Sequence, residues 1–277
     1  MEITMPYLEF PVRFTRMQTE GLANDEANFR HAEKVIRLNA AETAFVLIDV
    51  WDCATVPPEA LPGGKNFCDR AGAITEQKIR PALAAARGAG LTIIHAPTSY
   101  VSEKYPQYHE LAKRLGTPAP SAAPPGVAWP PREFVAEQQK DAWSRRYERP
   151  AADDKAIRKD RTFIPKVVEP RPDEFLIATG AQMNQILAER KILNLIYVGF
   201  ATNMCLLEKP GAVREMAHQR WYRTIVLRDC TTAVEHAETV ADLVMTKTFL
   251  LWMEMCALAY TAVSDVFIEA CSRIHEV

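Results

Sequence analysis

Ile196-Tyr197-Val198-Gly199-Phe200-Ala201-Thr202-Asn203-Met204-Cys205 is the stretch on which the reading of this chain turns. An apolar run passes through a turn of small residues to a cysteine. Residues 193–199, apolar but for Asn194, read as a buried strand of a parallel sheet. Residues 206–219 read as a helix. Cys205 then falls at a strand-to-helix turn, where unpaired amides and the helix dipole favour an anion. A thiol so placed has a lowered pKa, and the thiolate is its nucleophilic form. The other reading of a free cysteine is a small buried hydrophobe.

Two further segments bear on that choice. In Phe45-Val46-Leu47-Ile48-Asp49-Val50-Trp51-Asp52, four apolar residues end in an acid. This is the pattern of a buried strand with a carboxylate at its C-terminal end, the edge where open α/β sheets bind ligands. In Arg161-Thr162-Phe163-Ile164-Pro165-Lys166-Val167-Val168, a lone lysine interrupts an apolar, proline-marked run. Lysine is rarely buried without a partner. Gathered at one sheet edge, the three residues make a nucleophilic set. Asp49 takes the thiol proton, Lys166 holds the charges in register and Cys205 attacks a carbonyl.

The rest of the chain alternates. Residues 44–50, 91–95, 175–177, 194–199 and 223–228 read as strands. Residues 66–88 have helical periodicity, with Pro81 as a possible kink and Gly88 and Gly90 as the stop. Residues 257–271 read as a short strand and a helix. The alternation predicts a single-domain, Rossmann-like three-layer α/β fold, with a central parallel sheet and helices on both faces. Residues 42–277 form that domain, and residues 1–41 an N-terminal extension with a helical patch near residues 24–38. Residues 97–165 break the rhythm as a long Pro-rich insertion with ten prolines. Within it the charged run 153–161 reads as a solvated surface, whereas a long loop in a compact domain is otherwise a lid or a binding loop.

Composition narrows the function classes. The 277 residues are 48% hydrophobic and 25% charged, as in an ordinary globular protein. A net charge of −2 gives no expectation of a nucleic-acid partner or of an anionic membrane surface. No apolar run reaches the ~20 residues of a membrane span. Met1-Glu2-Ile3-Thr4-Met5-Pro6 lacks the features of a signal peptide, which predicts a cytoplasmic protein. The six cysteines include no C-x-x-C pair and read as reduced thiols, with Cys230 and Cys256 as packing residues.

The three motifs, in their order and rough spacing, resemble those of the isochorismatase-like cysteine hydrolases. That family includes nicotinamidases, N-carbamoylsarcosine amidohydrolase, ureidoacrylate and biuret hydrolases, and isochorismatase itself. Leu47-Ile48-Asp49-Val50 is similar to its first motif and Pro165-Lys166 to its second. Val198 to Cys205 is similar to its third, Val-Gly-x-x-Thr-[Asp/Asn]-x-Cys. Phe175, Thr179-Gly180 and the helix around Gln185-Ile186-Leu187 look like the segment that usually lies between. The resemblance spans about residues 42–265.

It implies hydrolysis of a C–N bond in a small amide or ureide through a covalent acyl-enzyme on Cys205. Asp49 and Lys166 complete a triad, and the backbone N–H groups of Ala201 and Cys205 form the oxyanion hole. It also implies a cis Phe200–Ala201 peptide and a homodimer or homotetramer. The substrate-contact candidates are Trp51, His95, Phe200 and Thr202. A lone His without a second ligand reads first as a satisfied strand-end histidine, and Trp51 is equally a core residue. The chain departs from the family in two places. It lacks the Asp-x-His pair with which nicotinamidases hold zinc, so no metal or cofactor is expected. It also carries Trp51-Asp52 where many members have Gln-Asn. Two other readings share the fold. One is cleavage of a vinyl ether, as in isochorismatase, which needs the acid but no thiol. The other is a non-catalytic binding or scaffold protein.

Overall fold

A computed structural model describes residues 6–57, 60, 63–115, 129–148 and 151–276, with backbone alone for 151–155 and 275–276. The chain opens with a hairpin, β1 (Tyr7–Arg16) and β2 (Arg30–Asn39), paired antiparallel from Tyr7 opposite Asn39 to Arg16 opposite Arg30. This corrects the expected helical patch near residues 24–38. The buried residues are Leu8, Phe10 and Val12 on one strand and Ile36 and Leu38 on the other, the period-two pattern of strands with one face on a core. Glu254 ties the hairpin down. Its fully buried carboxylate accepts from Arg13 Nε at 2.9 Å and from Thr261 Oγ1 at 2.6 Å, and lies 3.1 Å from His31 Nδ1.

The first core strand, β3 (Thr43–Ile48), is buried at every position. The helical run after it divides into α1 (Gly64–Ile74), a π-turn over Thr75–Ile79, and α2 (Arg80–Gly88). Pro81 is the cause. It lacks an N–H and crowds the carbonyl four residues back, and the widened turn absorbs both effects. Next comes β4 (Thr92–Ala96). The described parts of the insertion hold α3 (Ser99–Ser102), α4 (Pro106–Leu115), α5 (Arg132–Ser144) and α6 (Ala151–Arg161). Pro118, Pro120 and Pro124-Pro125 lie outside the described residues. The charged run read as solvated surface is α6, and its Ile157 packs, as Trp51 and Cys53 do, against a small cluster of Val56, Ala60 and Cys68. The remaining elements are β5 (Phe175–Leu176), α7 (Gly180–Glu189), β6 (Asn194–Gly199), α8 (Cys205–Glu208), β7 (Arg223–Leu227), α9 (Val244–Met255), β8 (Tyr260–Ala262) and α10 (Ser264–Ser272).

These strands make one eight-stranded sheet of order β2-β1-β8-β7-β6-β3-β4-β5. The six strands from β8 to β5 are parallel, and the hairpin joins antiparallel through β1 and β8. The sheet is therefore mostly rather than wholly parallel. Phe45, Leu47, Ile196 and Val198 face one core layer, whereas Val46, Ile48, Leu195 and Tyr197 face the other. Helices cover both, as expected for a three-layer α/β domain. No helix among the described residues is long and apolar enough to cross a membrane.

The topology fixes where a ligand can bind. From β3 the chain steps outward to β4 and β5, then returns to the far side of β3 as β6. The C-terminal ends of β3 and β6 thus flank the switch point, where open α/β sheets form their binding crevice. Gly199 makes the close approach possible. Its φ is +116°, and a Cβ there would meet the Ile48 carbonyl oxygen at 1.9 Å. Gly199→Ala is expected to destabilise the fold by about 3 kcal/mol or more. Urea unfolding measures it; a stability within ~0.5 kcal/mol of the wild type would show that the two strand ends separate easily.

Candidate active site

Asp49 is the first residue after β3. Its φ of 41° is left-handed, and its amide bonds the Ala96 carbonyl at the end of β4 at 3.3 Å. The turn leaves the side chain 1% exposed at the sheet edge. Oδ1 accepts from Thr98 Oγ1 at 3.0 Å and from Lys209 Nζ at 2.7 Å. Among the described residues, buried Oδ2 has no hydrogen-bond partner.

Lys209 reaches Asp49 because a helix stops early. The helix expected over residues 206–219 ends at Glu208. Pro210 follows, and a residue before proline is driven out of the helical region. Lys209 accordingly has φ −68° and ψ 154°. Gly211, at φ +79°, completes the break before the chain resumes helical turns through Gln219. Thrown out of the helix, Lys209 extends to Asp49 and donates a second bond to the Ala96 carbonyl at 3.0 Å. Its side chain is 12% exposed. Lys166 does not join this group. It is exposed, at the start of a 3₁₀ turn over Lys166–Val168. The proline-marked segment lies at the surface there, so Lys166 needs no partner. The expected place of the lysine is corrected: the cation on Asp49 comes from the loop after Cys205.

The Cys205 turn is held from several sides. Gly199 and Phe200 amides bond the carbonyls of Cys230 at 3.0 Å and Ile48 at 2.9 Å, and the Thr202 amide bonds Thr232 at 3.1 Å. The Phe200–Ala201 peptide is cis. The amides of Met204 and Leu206 converge on the Ala201 carbonyl at 3.0 and 3.2 Å. Cys205 is partly buried, and Asp49 lies near enough for its charge to act on the thiol. Burial pushes its thiol well above the usual range, and the nearby charge of Asp49 adds to this. Lys209 and the residue's own amide pull the other way and do not prevail. This reverses the lowered pKa expected from the sequence. Helix α8 is a single turn, too short to gather much dipole, whereas burial beside a carboxylate disfavours the thiolate directly.

The other sequence candidates lie as follows. Ala201 is 6% exposed. Phe200 is buried edge-on against Phe67, with ring centroids 6.2 Å apart. Thr202 is buried and its hydroxyl bonds Thr231 at 2.7 Å. His95 is buried in β4, with Nε2 on Glu174 at 2.9 Å. Burial drives His95 toward the neutral form despite that acid. Burial would also raise Glu174, but hydrogen bonds from His95, Arg87 and the Arg171 amide hold it at about 2. The structure thus keeps His95 within the core and does not bring it to Asp49 and Cys205. Trp51 packs against a small buried cluster of Val56, Ala60 and Cys68, and its buried Nε1 has no partner among the described residues. Sequence reasoning missed Thr98 and Tyr100. Tyr100 is raised by burial, with Arg158 lowering it and Asp49 raising it. No group of three or more His, Cys, Asp or Glu residues suited to a metal ion occurs among the described residues.

Comparison with known proteins places the chain. The isochorismatase domain profile matches residues 43–254. A cysteine hydrolase from Pseudomonas syringae pv. phaseolicola 1448A is similar in fold, with a TM-score of 0.54 at 15% identity over 86% of this chain and 95% of that one. An isochorismatase family protein from Desulfovibrio vulgaris has a TM-score of 0.44 at 16% identity, over 84% of this chain and 99% of that one. The pyrazinamidase/nicotinamidase from Streptococcus mutans UA159 has a TM-score of 0.41 at 14% identity, over 79% and 99%. No curated protein sequence matches the chain. With the family profile spanning most of the chain and an acid and a cysteine meeting at the switch point of the sheet, this protein belongs to the isochorismatase family of hydrolases.

Proposed function

We propose that this hydrolase cleaves the C–N bond of a small amide or ureide through an acyl-enzyme on Cys205, with Asp49 as the base and Lys209 as its cation. The observation that carries the reading is the state of Asp49. One oxygen is held by Thr98 and Lys209, and the other is buried and accepts from no described donor, on a carboxylate whose charge acts on the neighbouring Cys205 thiol.

In the first step the thiol proton passes to Asp49 as sulfur attacks the carbonyl carbon. Because the thiol is held protonated, the thiolate forms during attack rather than standing ready beforehand. The tetrahedral oxyanion is taken by the amides of Ala201 and Cys205, for which the described residues supply no acceptor beyond the Cys205 sulfur itself. Donors of this kind are worth ~3–4 kcal/mol of barrier each. Asp49 then gives its proton to the leaving nitrogen, the C–N bond breaks and a thioester remains. Water, losing a proton to Asp49, attacks the thioester. The acid product leaves and the proton returns to sulfur. Throughout, Lys209 offsets the negative charge of Asp49 in a site where water does so poorly.

Three outcomes test this. Screening small amides and ureides for ammonia release should find a substrate. With it, Cys205→Ala should lower turnover about 10³-fold or more, and adding Asp49→Asn should cost little further, because groups acting as a unit are non-additive. A mild Cys205→Ala with a severe Asp49→Asn would indicate vinyl-ether cleavage instead. Cys205 alkylation by iodoacetamide should be slow at neutral pH and rise steeply toward alkaline pH. Asp49→Asn should speed it at neutral pH by removing the neighbouring charge, while abolishing hydrolysis. Fast neutral alkylation of the wild type would contradict the protonated resting thiol. Turnover should also survive chelation; loss on chelation with recovery on added zinc would contradict a metal-free mechanism.

A further inference from the structure

A cavity of about 770 Å³ lies past the end of β7, walled by the N-terminal hairpin, α1 and α9. It is a different place from the Cys205 turn, though Thr232 touches both. Its basic side chains outnumber what the local acids balance. Arg13 is taken by Glu254 at 2.9 Å, and Glu254 also faces His31. The acid of the cavity wall, Asp229, is spent on the Ser264 amide and hydroxyl, each at 2.7 Å, and on Lys78 at 3.4 Å.

Three cations remain. Arg70 bonds only neutral oxygens, Thr232 Oγ1 at 3.3 Å and the carbonyls of Ala233 at 3.1 Å and Asn66 at 3.3 Å. Arg228 bonds only Thr261 Oγ1, at 3.5 Å. Lys247 is exposed on α9. None of the three has a carboxylate within ion-pair distance among the described residues. Burial and then the charge of Arg13 act against the protonated form of Arg228, while the charges of Glu254, Asp229 and Glu33 act for it. Ile74, Leu250 and Leu251 line the same cavity and give it apolar surface.

We infer that this cavity binds a small organic acid, with its carboxylate on Arg70, Arg228 and Lys247 and its apolar body against Ile74, Leu250 and Leu251. Guanidinium groups suit a carboxylate because they can donate two parallel hydrogen bonds. An apolar wall with few convergent polar groups is the usual form of a small-molecule site. The bound acid would sit behind the nucleophile turn, since Arg70 holds Thr232, whose carbonyl receives the Thr202 amide. The inference stands independently of the proposed amide hydrolysis.

Titration calorimetry with benzoate tests it, with benzyl alcohol as the neutral control. The expected result is saturable one-to-one binding of benzoate, undiminished in Cys205→Ala. Arg228→Gln and the neutral alcohol should each weaken it about tenfold or more. Lys247→Gln, at an exposed position, should weaken it severalfold and keeps the test decisive should Arg228→Gln fail to fold. Three results would each overturn the inference: no saturable benzoate binding, equal binding of the alcohol, or affinity unmoved by the charge substitutions.

Discussion

Lys209 Nζ lies 2.7 Å from Asp49 Oδ1, and both side chains are withdrawn from water. Much else at the sheet edge answers to that pair. A carboxylate buried at a strand end is costly unless paired and hydrogen-bonded. Lys209 and Thr98 meet that need on one oxygen and leave the other for the thiol side of the site. The lysine also bonds the Ala96 carbonyl, so the same cation links the ends of β3 and β4 to the turn after β6. Removing either partner would leave a buried charge uncompensated. Neutralising Asp49 would also remove the charge that, after burial, holds the Cys205 thiol up.

The geometry rests on backbone chemistry at a few positions. Gly199 lets β6 approach the Ile48 carbonyl, and Asp49 takes up a left-handed turn. Pro210 and Gly211 end α8 after one turn and aim Lys209 inward. Around this edge the insertion forms part of the wall. Its residues Arg161 and Phe163 bond the loop after Asp49, through Thr55 Oγ1 at 2.7 Å and the Asp52 amide at 2.9 Å. Ile157 of α6 and Trp51 pack against the same small cluster of Val56, Ala60 and Cys68. The part of the chain that departs furthest from a plain α/β alternation thus lies where it can shape what reaches Cys205.

Much of this was legible in the sequence. Strands β3 and β6 announce themselves as continuous apolar runs, because strands buried on both faces need no alternation. The acid and the thiol follow from their places at the ends of those runs. The lysine was misplaced for an identifiable reason. Lys166 interrupts an apolar run and looks buried, whereas Lys209 sits inside what looks like a helix. The signal that separates them is Lys209-Pro210-Gly211, a helix break four residues after the cysteine. The hairpin was missed because β2 is an edge strand rich in charge, and exposed Val35 beside buried Ile36 blurs its period of two. The thiol pKa was misread because burial and a facing carboxylate are tertiary facts that a linear motif does not carry.

The central claim is that Lys209, and not Lys166, is the working cation on Asp49. Turnover of the best amide substrate by Lys209→Met and Lys166→Met, each checked for an intact fold, tests it most directly. The account predicts a loss of about 10²-fold or more for Lys209→Met, in the range of a lost charge-stabilising group. It predicts turnover close to the wild type for Lys166→Met. The opposite pattern, a disabled Lys166→Met and an active Lys209→Met, would contradict it.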